Sequence, residues 1–173
     1  MHRLIEVQER DFELADHYAQ MRQQCGNAAG AIAAFVGLVR DHNLGAGDGG
    51  LVGTLTLEHY PGMTESSISS ILDDAAARWP LLAATVIHRV GELAPADQIV
   101  MVLIASAHRD AAFDAAEFVM DYLKTRAVFW KKESTDQGVK WIESTLTDKH
   151  RASSWHRTEL GDETGQKDSG PEC

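Results

Sequence analysis

Cysteine is almost missing from this chain: 173 residues hold two, Cys25 and Cys173. Two thiols so placed exclude a disulfide framework and a zinc site built from cysteine. Long apolar runs are missing as well, and nothing approaches the ~18–20 uninterrupted apolar residues of a membrane span. The first residues, Met1-His2-Arg3-Leu4-Ile5-Glu6, reach an acid at once and lack the apolar stretch of a secretory leader. The expected location is therefore cytoplasmic, with no membrane partner. Positive charge is scarce: 16 Lys and Arg against 26 Asp and Glu give a formal charge of −10. That balance argues against nucleic-acid partners. The H-E-x-x-H, G-x-S-x-G and Asp-Phe-Gly signatures are absent too, so neither a metal site, a hydrolase elbow nor a kinase is expected.

What remains is an ordinary globular composition, 44% apolar and 24% charged, of a length that suits one domain. Residues 3–8 read as a short strand. Asp11 is placed to cap a helix in which Phe12, Leu14, Ala15, Tyr18 and Met21 recur at helical spacing. Residues 31–39 (AIAAFVGLV) are nearly all apolar, the pattern of a strand buried on both faces. In the loop at residues 40–50, Gly45, Gly47 and Gly50 match G-x-G-x-x-G, but a strand-like segment follows where the nucleotide fingerprint needs a helix.

Thr64 is placed to cap an amphipathic helix with Ile68, Ile71, Leu72, Ala75 and Trp79 on one face, stopped by Pro80. Residues 83–90 and 98–107 read as a hairpin joined by a longer loop. Asp110 is placed to cap a second helix with Phe113, Ala116, Met120 and Leu123 on its core face, and residues 138–145 read as a last strand. The order β-α-β-β-α-β-β-α-β predicts an α+β class: a largely antiparallel sheet covered by helices, with a small β subdomain. From Lys149 the apolar period disappears. A single domain over residues 1–148 and a polar, flexible tail over residues 149–173 are expected.

Two basic loci carry chemistry. Residues 124–132 (KTRAVFWKK) hold Lys124, Arg126, Lys131 and Lys132 and no acid. Either the cations complement the negative end of a helix, or two lysines converge on one anionic ligand. His108-Arg109-Asp110 falls where a strand gives way to a helix. There Asp110 caps and Arg109 pairs on the surface, or His108, Arg109 and the helix N-terminus cradle an anion. Arg40 stands at the end of the apolar run. His59 and His88 read as partly buried histidines with satisfied hydrogen bonds. On the residues alone this is an anion-binding protein, which as a non-catalytic module would take a phosphorylated metabolite or a protein C-terminus.

Six ordered motifs go further. Phe35-x-Gly37-x-Val39-Arg40-x-x-Asn43, Leu57-Glu58-His59-Tyr60-Pro61-Gly62-Met63, His88-Arg89-Val90-Gly91, His108-Arg109, Met120-Asp121-Tyr122-Leu123-Lys124-Thr125 and Phe129-Trp130-Lys131-Lys132-Glu133 together resemble the large, catalytic subunit of molybdopterin synthase. The resemblance runs from about residue 3 to 148 and implies an α/β hammerhead fold. It implies a sulfurtransferase that needs no cofactor of its own. Sulfur comes from the C-terminal Gly-Gly thiocarboxylate of a small ubiquitin-like partner and enters cyclic pyranopterin monophosphate, giving the dithiolene of molybdopterin. It also implies a homodimer at the centre of a heterotetramer.

Carried over by position, the catalytic lysines fall on Lys124 and Lys131. The substrate-binding residues fall on Leu38, Val39, Arg40, His108, Arg109, Lys132 and Glu133. Two placements of Arg40 stand open, in its own chain's pocket or in a second copy's. Cationic neighbours are expected to lower the Lys124 pKa. Val128 stands where the family commonly has Pro, which loosens the turn between the lysines.

Overall fold

The computed structural model describes residues 1–40, 52–127, 129–135, 138–142 and 146–160, and its strands sort into two four-stranded sheets. The elements are β1 (His2–Gln8), α1 (Leu14–Cys25), β2 (Ala31–Leu38), β3 (Val52–His59), α2 (Met63–Arg78) and β4 (Leu81–Arg89). They continue as β5 (Gly91–Leu93), β6 (Gln98–Ser106), α3 (Arg109–Thr125), β7 (Phe129–Thr135), β8 (Gly138–Ile142) and α4 (Leu146–Leu160). The first sheet runs β1-β4-β6-β2 and the second β5-β3-β7-β8. Only β1 with β4 is a parallel pair among the described strands. The α+β class, the antiparallel bias and the small second sheet are as expected from the sequence.

Strand alternation divides the first sheet's apolar residues between two helical layers. Ala84, Val86, Val102 and Ile104 face α2 and α3 and join Ile68, Ile71, Leu72, Phe118 and Val119. Ala83, Ile87, Met101 and Leu103 face the other way and meet Phe12 and Met21 of the α1 segment. Each such large side chain contributes about 1.5–3 kcal/mol by leaving water. A third cluster, Val39, Leu55, Leu57, Val90 and Leu93, fastens the second sheet onto the first, with Val7, Ile99 and Phe129 at the seam.

Several local expectations are corrected. β2 is an edge strand paired only with β6, not buried on both faces: Phe35 and Leu38 remain 41% and 54% exposed. The α1 cap position is Glu13, because the Asp11 carboxylate instead accepts from Phe12 N–H at 2.9 Å and Gln98 Nε2 at 3.0 Å, tying the turn to β6. α2 starts two residues earlier than expected, with Gly62 rather than Thr64 at the cap. Gly62 takes φ 82° at its cap, the Glu65 carboxylate accepts the Gly62 N–H at 2.7 Å, and Thr64 is buried inside. The expected hairpin loop contains β5, which leaves the first sheet and pairs with β3.

On α3, His108 is the cap residue and the Asp110 carboxylate lies beside Arg109 Nε at 3.4 Å instead of capping. Phe113, expected in the core, is 64% exposed, while Phe118 is fully buried. Ala111, Ala112, Ala115 and Ala116 are buried and let the helix sit close on β6, which turns Phe113 outward.

Residues 149–155 are helix, not loose tail. α4 packs on α3 through buried Ala152 and through Trp155, whose ring lies 5.5 Å from Phe118 and 5.7 Å from Trp79, both edge-on. Each such aromatic pair adds about 0.5–1.5 kcal/mol beyond buried area. Tyr122 Oη donates to the Ala152 carbonyl at 3.2 Å and Trp155 Nε1 to the Asp121 carboxylate at 2.9 Å. Two apolar positions in an otherwise polar stretch were enough, because α3 supplied the matching groove. The glycine-rich loop at 41–50, Val128 and residues 161–173 lie outside the described residues.

Candidate active site

The four cations of the 124–132 segment meet different fates. Arg126 is structural: its guanidinium pairs with Asp74 of α2 at 2.7 Å and lies over the Tyr122 ring at 4.9 Å. Lys124, in the last turn of α3, is half-exposed, and its Nζ stands 3.3 Å from the Asp148 carboxylate of α4. The group beside Lys124 is thus an acid rather than the cations expected there.

Lys131 and Lys132 are separated by the pleat. In the β3–β7 register Leu57 faces Lys131 and His59 faces Phe129, whereas Thr56 faces Lys132 and Glu58 faces Trp130. Directly opposed residues share a face. Lys131 therefore shares the inner face of the second sheet with buried Leu57 and with Phe129, and Lys132 shares the outer face with Trp130, which is 45% exposed. The Glu133 backbone stands opposite Leu55, and its side chain lies outside the described residues.

Residues 38–40 come to the same end of the molecule. Val39 donates to the Asp97 carbonyl at 2.9 Å and accepts from Ala96 N–H at 2.8 Å, so it is pinned beside the start of β6 and buried with Leu55 and Leu57. Arg40 follows directly, exposed. α3 returns antiparallel along β6, bringing Lys124 back to this end, and β7 begins there, with Phe129 N–H donating to the Ala127 carbonyl at 3.0 Å.

His108 and Arg109 do not join them. They precede and open α3, whereas Lys124 ends it, and 15 residues of helix span about 22 Å. Both are exposed, and the Arg109 side chain is 83% accessible. Within one chain, five basic side chains do not surround one hollow. A shallow cavity of about 640 Å³ lies elsewhere, along Ile5, Glu6, Val7, Gln8, Glu9, Arg10 and Glu65.

His88, expected as a buried histidine with its hydrogen bond satisfied, is that, and it also neighbours Lys131. Its ring is buried and stacks on Phe129 at 3.9 Å, with 22° between planes, and Nδ1 lies 2.8 Å from the Arg89 carbonyl, to which it donates. Burial pulls the imidazole down to about 4, the backbone bond opposes this, and Lys131 of β7 and His59 of β3 push it lower. A sequence signal existed in the register, since His59, Phe129 and Lys131 alternate onto one face. Below the unfolded-state value of about 6.5 the unfolded chain takes up a proton that the folded ring refuses until about pH 4. Stability is thus whole above pH 6.5 and falls by about 3 kcal/mol as pH drops toward 4. Urea midpoints measured from pH 7 to 4.5 are expected to fall steeply, and His88→Asn to flatten that limb; equal slopes would contradict the assignment.

Neither cysteine chemistry nor a metal centre emerges among the described residues. Burial pushes the Cys25 thiol up, away from the thiolate. No group of three His, Cys, Asp or Glu side chains comes together to hold an ion.

The molecule is a two-sheet α+β domain with separate cationic loci at its strand and helix ends. The chain belongs to the MoaE family, whose model, described as MoaE protein, matches residues 7–126. It is 51% identical over 151 residues to the molybdopterin synthase catalytic subunit of Ralstonia nicotianae, covering 87% of this chain and 83% of that one. The corresponding subunit of Vibrio cholerae is 53% identical over 151 residues, with 97% of its length covered. The solved structure of the molybdopterin biosynthesis MoaE protein from Burkholderia ambifaria matches with a TM-score of 0.75 and 45% identity, covering 90% of this chain and 99% of that one. The family expected from the six motifs is therefore correct. Among the described residues no helix is long and apolar enough to cross a membrane.

Proposed function

We propose that this chain is the catalytic subunit of a cytoplasmic molybdopterin synthase. It moves sulfur from the thiocarboxylated C-terminus of a small ubiquitin-like partner into cyclic pyranopterin monophosphate. The observation that carries this reading is the pair of lysines bracketing the α3–β7 connection, Lys124 in the last turn and Lys131 two residues into the strand, in a chain that shares half its residues with molybdopterin synthase catalytic subunits.

Both reactants are anions, so each needs cations to come close. Lys131, on an apolar inner face, orients the thiocarboxylate and steadies the oxyanion that develops at its carbonyl carbon. Lys124 moves protons or attacks as an amine. Arg40, with residues 38 and 39 behind it, holds the pterin phosphate together with His108 and Arg109. Because α3 keeps its two ends about 22 Å apart, His108 and Arg109 reach the lysines from a second copy of the chain, in a homodimer flanked by the small subunits.

The direct test mixes the protein with thiocarboxylated small partner and cyclic pterin and looks for molybdopterin as its oxidised fluorescent derivative. Product formation supports the enzyme. Tight binding of both reactants without product would support a non-catalytic anion-binding module instead.

A further inference from the structure

Asp148 lies where the sequence loses its apolar period, yet it is one of the better-held side chains at this end of the molecule. It sits in the first turn of α4, is only 19% exposed, and faces the Lys124 ammonium at 3.3 Å, whereas Lys124 itself is 49% exposed. Its position is set by α3, the helix that carries Lys124. Tyr122 and Asp121, two and three residues before Lys124, bond Ala152 and Trp155, four and seven residues after Asp148. Asp121 is itself buried, and its carbonyl accepts the Thr125 hydroxyl at 2.9 Å. Arg78 of α2 adds a bond to the Trp155 carbonyl at 3.3 Å. A carboxylate fixed this firmly beside a long, half-exposed side chain restricts where that side chain points. A lysine otherwise loses up to about 2 kcal/mol of rotamer freedom when it is ordered.

We infer that Asp148 is a positioning residue for Lys124: through α4 it holds the ammonium at the α3–β7 corner in the geometry the sulfur-transfer reaction uses. The inference rests on the reading of Lys124 as a reacting group. Asp148 touches neither substrate nor sulfur, and its effect passes through the lysine. Its loss should therefore show in turnover more than in the capture of either reactant.

The experiment compares wild type, Asp148→Asn, Asp148→Glu and Lys124→Ala in the product assay with thiocarboxylated partner, alongside thermal unfolding. Asp148→Asn is expected to lower kcat about tenfold with KM for the partner within about twofold. Asp148→Glu, which keeps the charge, is expected to return kcat to within about threefold of wild type. A second readout, independent of turnover, is acylation of Lys124 by acetic anhydride followed by mass spectrometry. Released from its ion pair with the carboxylate at 3.3 Å, the amine is expected to label several-fold faster.

Wild-type kcat in Asp148→Asn with an inactive Lys124→Ala would overturn the positioning role and leave the proposed function standing. Equal loss in the Asn and Glu variants, tracking a lowered melting temperature, would reduce Asp148 to a helix-start residue. An active Lys124→Ala would instead remove the role given to Lys124, and the inference with it.

Discussion

Lys124→Ala is expected to fold normally and to make molybdopterin at about one thousandth of the wild-type rate or less. Its side chain is half-exposed and its ion pair with Asp148 is solvent-accessible, a kind of pair worth about 0–1 kcal/mol, so the fold loses little. The catalytic loss is larger because no other cation is aimed at the corner from α3: Arg126 is committed to Asp74 and stacked on Tyr122. General acid–base action alone is worth about 10²–10⁴-fold, and an amine nucleophile at least as much. Lys124→Arg is expected to rescue poorly, since a guanidinium keeps its proton and cannot attack. Lys131→Ala is expected to lose about 10²-fold, the effect of removing one donor to a developing oxyanion. Unfolding curves and single-turnover product yields, measured together, check both; a Lys124→Ala enzyme within tenfold of wild type would remove this lysine from the chemistry.

The second large effect is complementation. Arg109→Ala and Lys124→Ala should each be inactive alone, and a denatured and refolded equal mixture should recover about a quarter of wild-type activity. The arithmetic follows from two-fold symmetry: half the dimers are mixed, and in each of these one site has lost both residues while the other keeps both. If both residues served their own chain's site, mixing would recover nothing. If Arg109 were only the surface partner of Asp110, Arg109→Ala would be active from the start. The expectation comes from the length of α3, because no side chain spans the roughly 22 Å between its ends.

That length was already legible in the residues, since a helix running from Asp110 past Leu123 has ends that cannot share a pocket. The six motifs identified the family, but motifs carry order along the chain and not distance. The central strands were equally legible, because β4 and β6 are apolar runs between turn signals. Cap positions were not, because Asp11, Thr64 and Asp110 each had a competing use: a bond to β6, burial, or a neighbouring arginine.

Phe113 was misread because alanines contribute little to an apolar stripe, yet four of them define the face α3 buries. Lys131 and Lys132 looked like one feature until the register assigned them to opposite faces. α4 was missed for want of a visible period: Ala152 and Trp155 count as apolar anchors only once the groove formed by Trp79 and Phe118 exists.

α4 follows both sheets in chain order, and it is the element that brings a carboxylate to Lys124. During translation, then, a ribosome that has released everything through β8 has produced both sheets and every basic residue of the proposed site, but not the acid that lies beside Lys124. The proposed reactive corner is therefore the last part of the described chain to be completed in order of synthesis. A message truncated just after the codons for β8 would yield a chain with its lysines in place and Lys124 unrestrained.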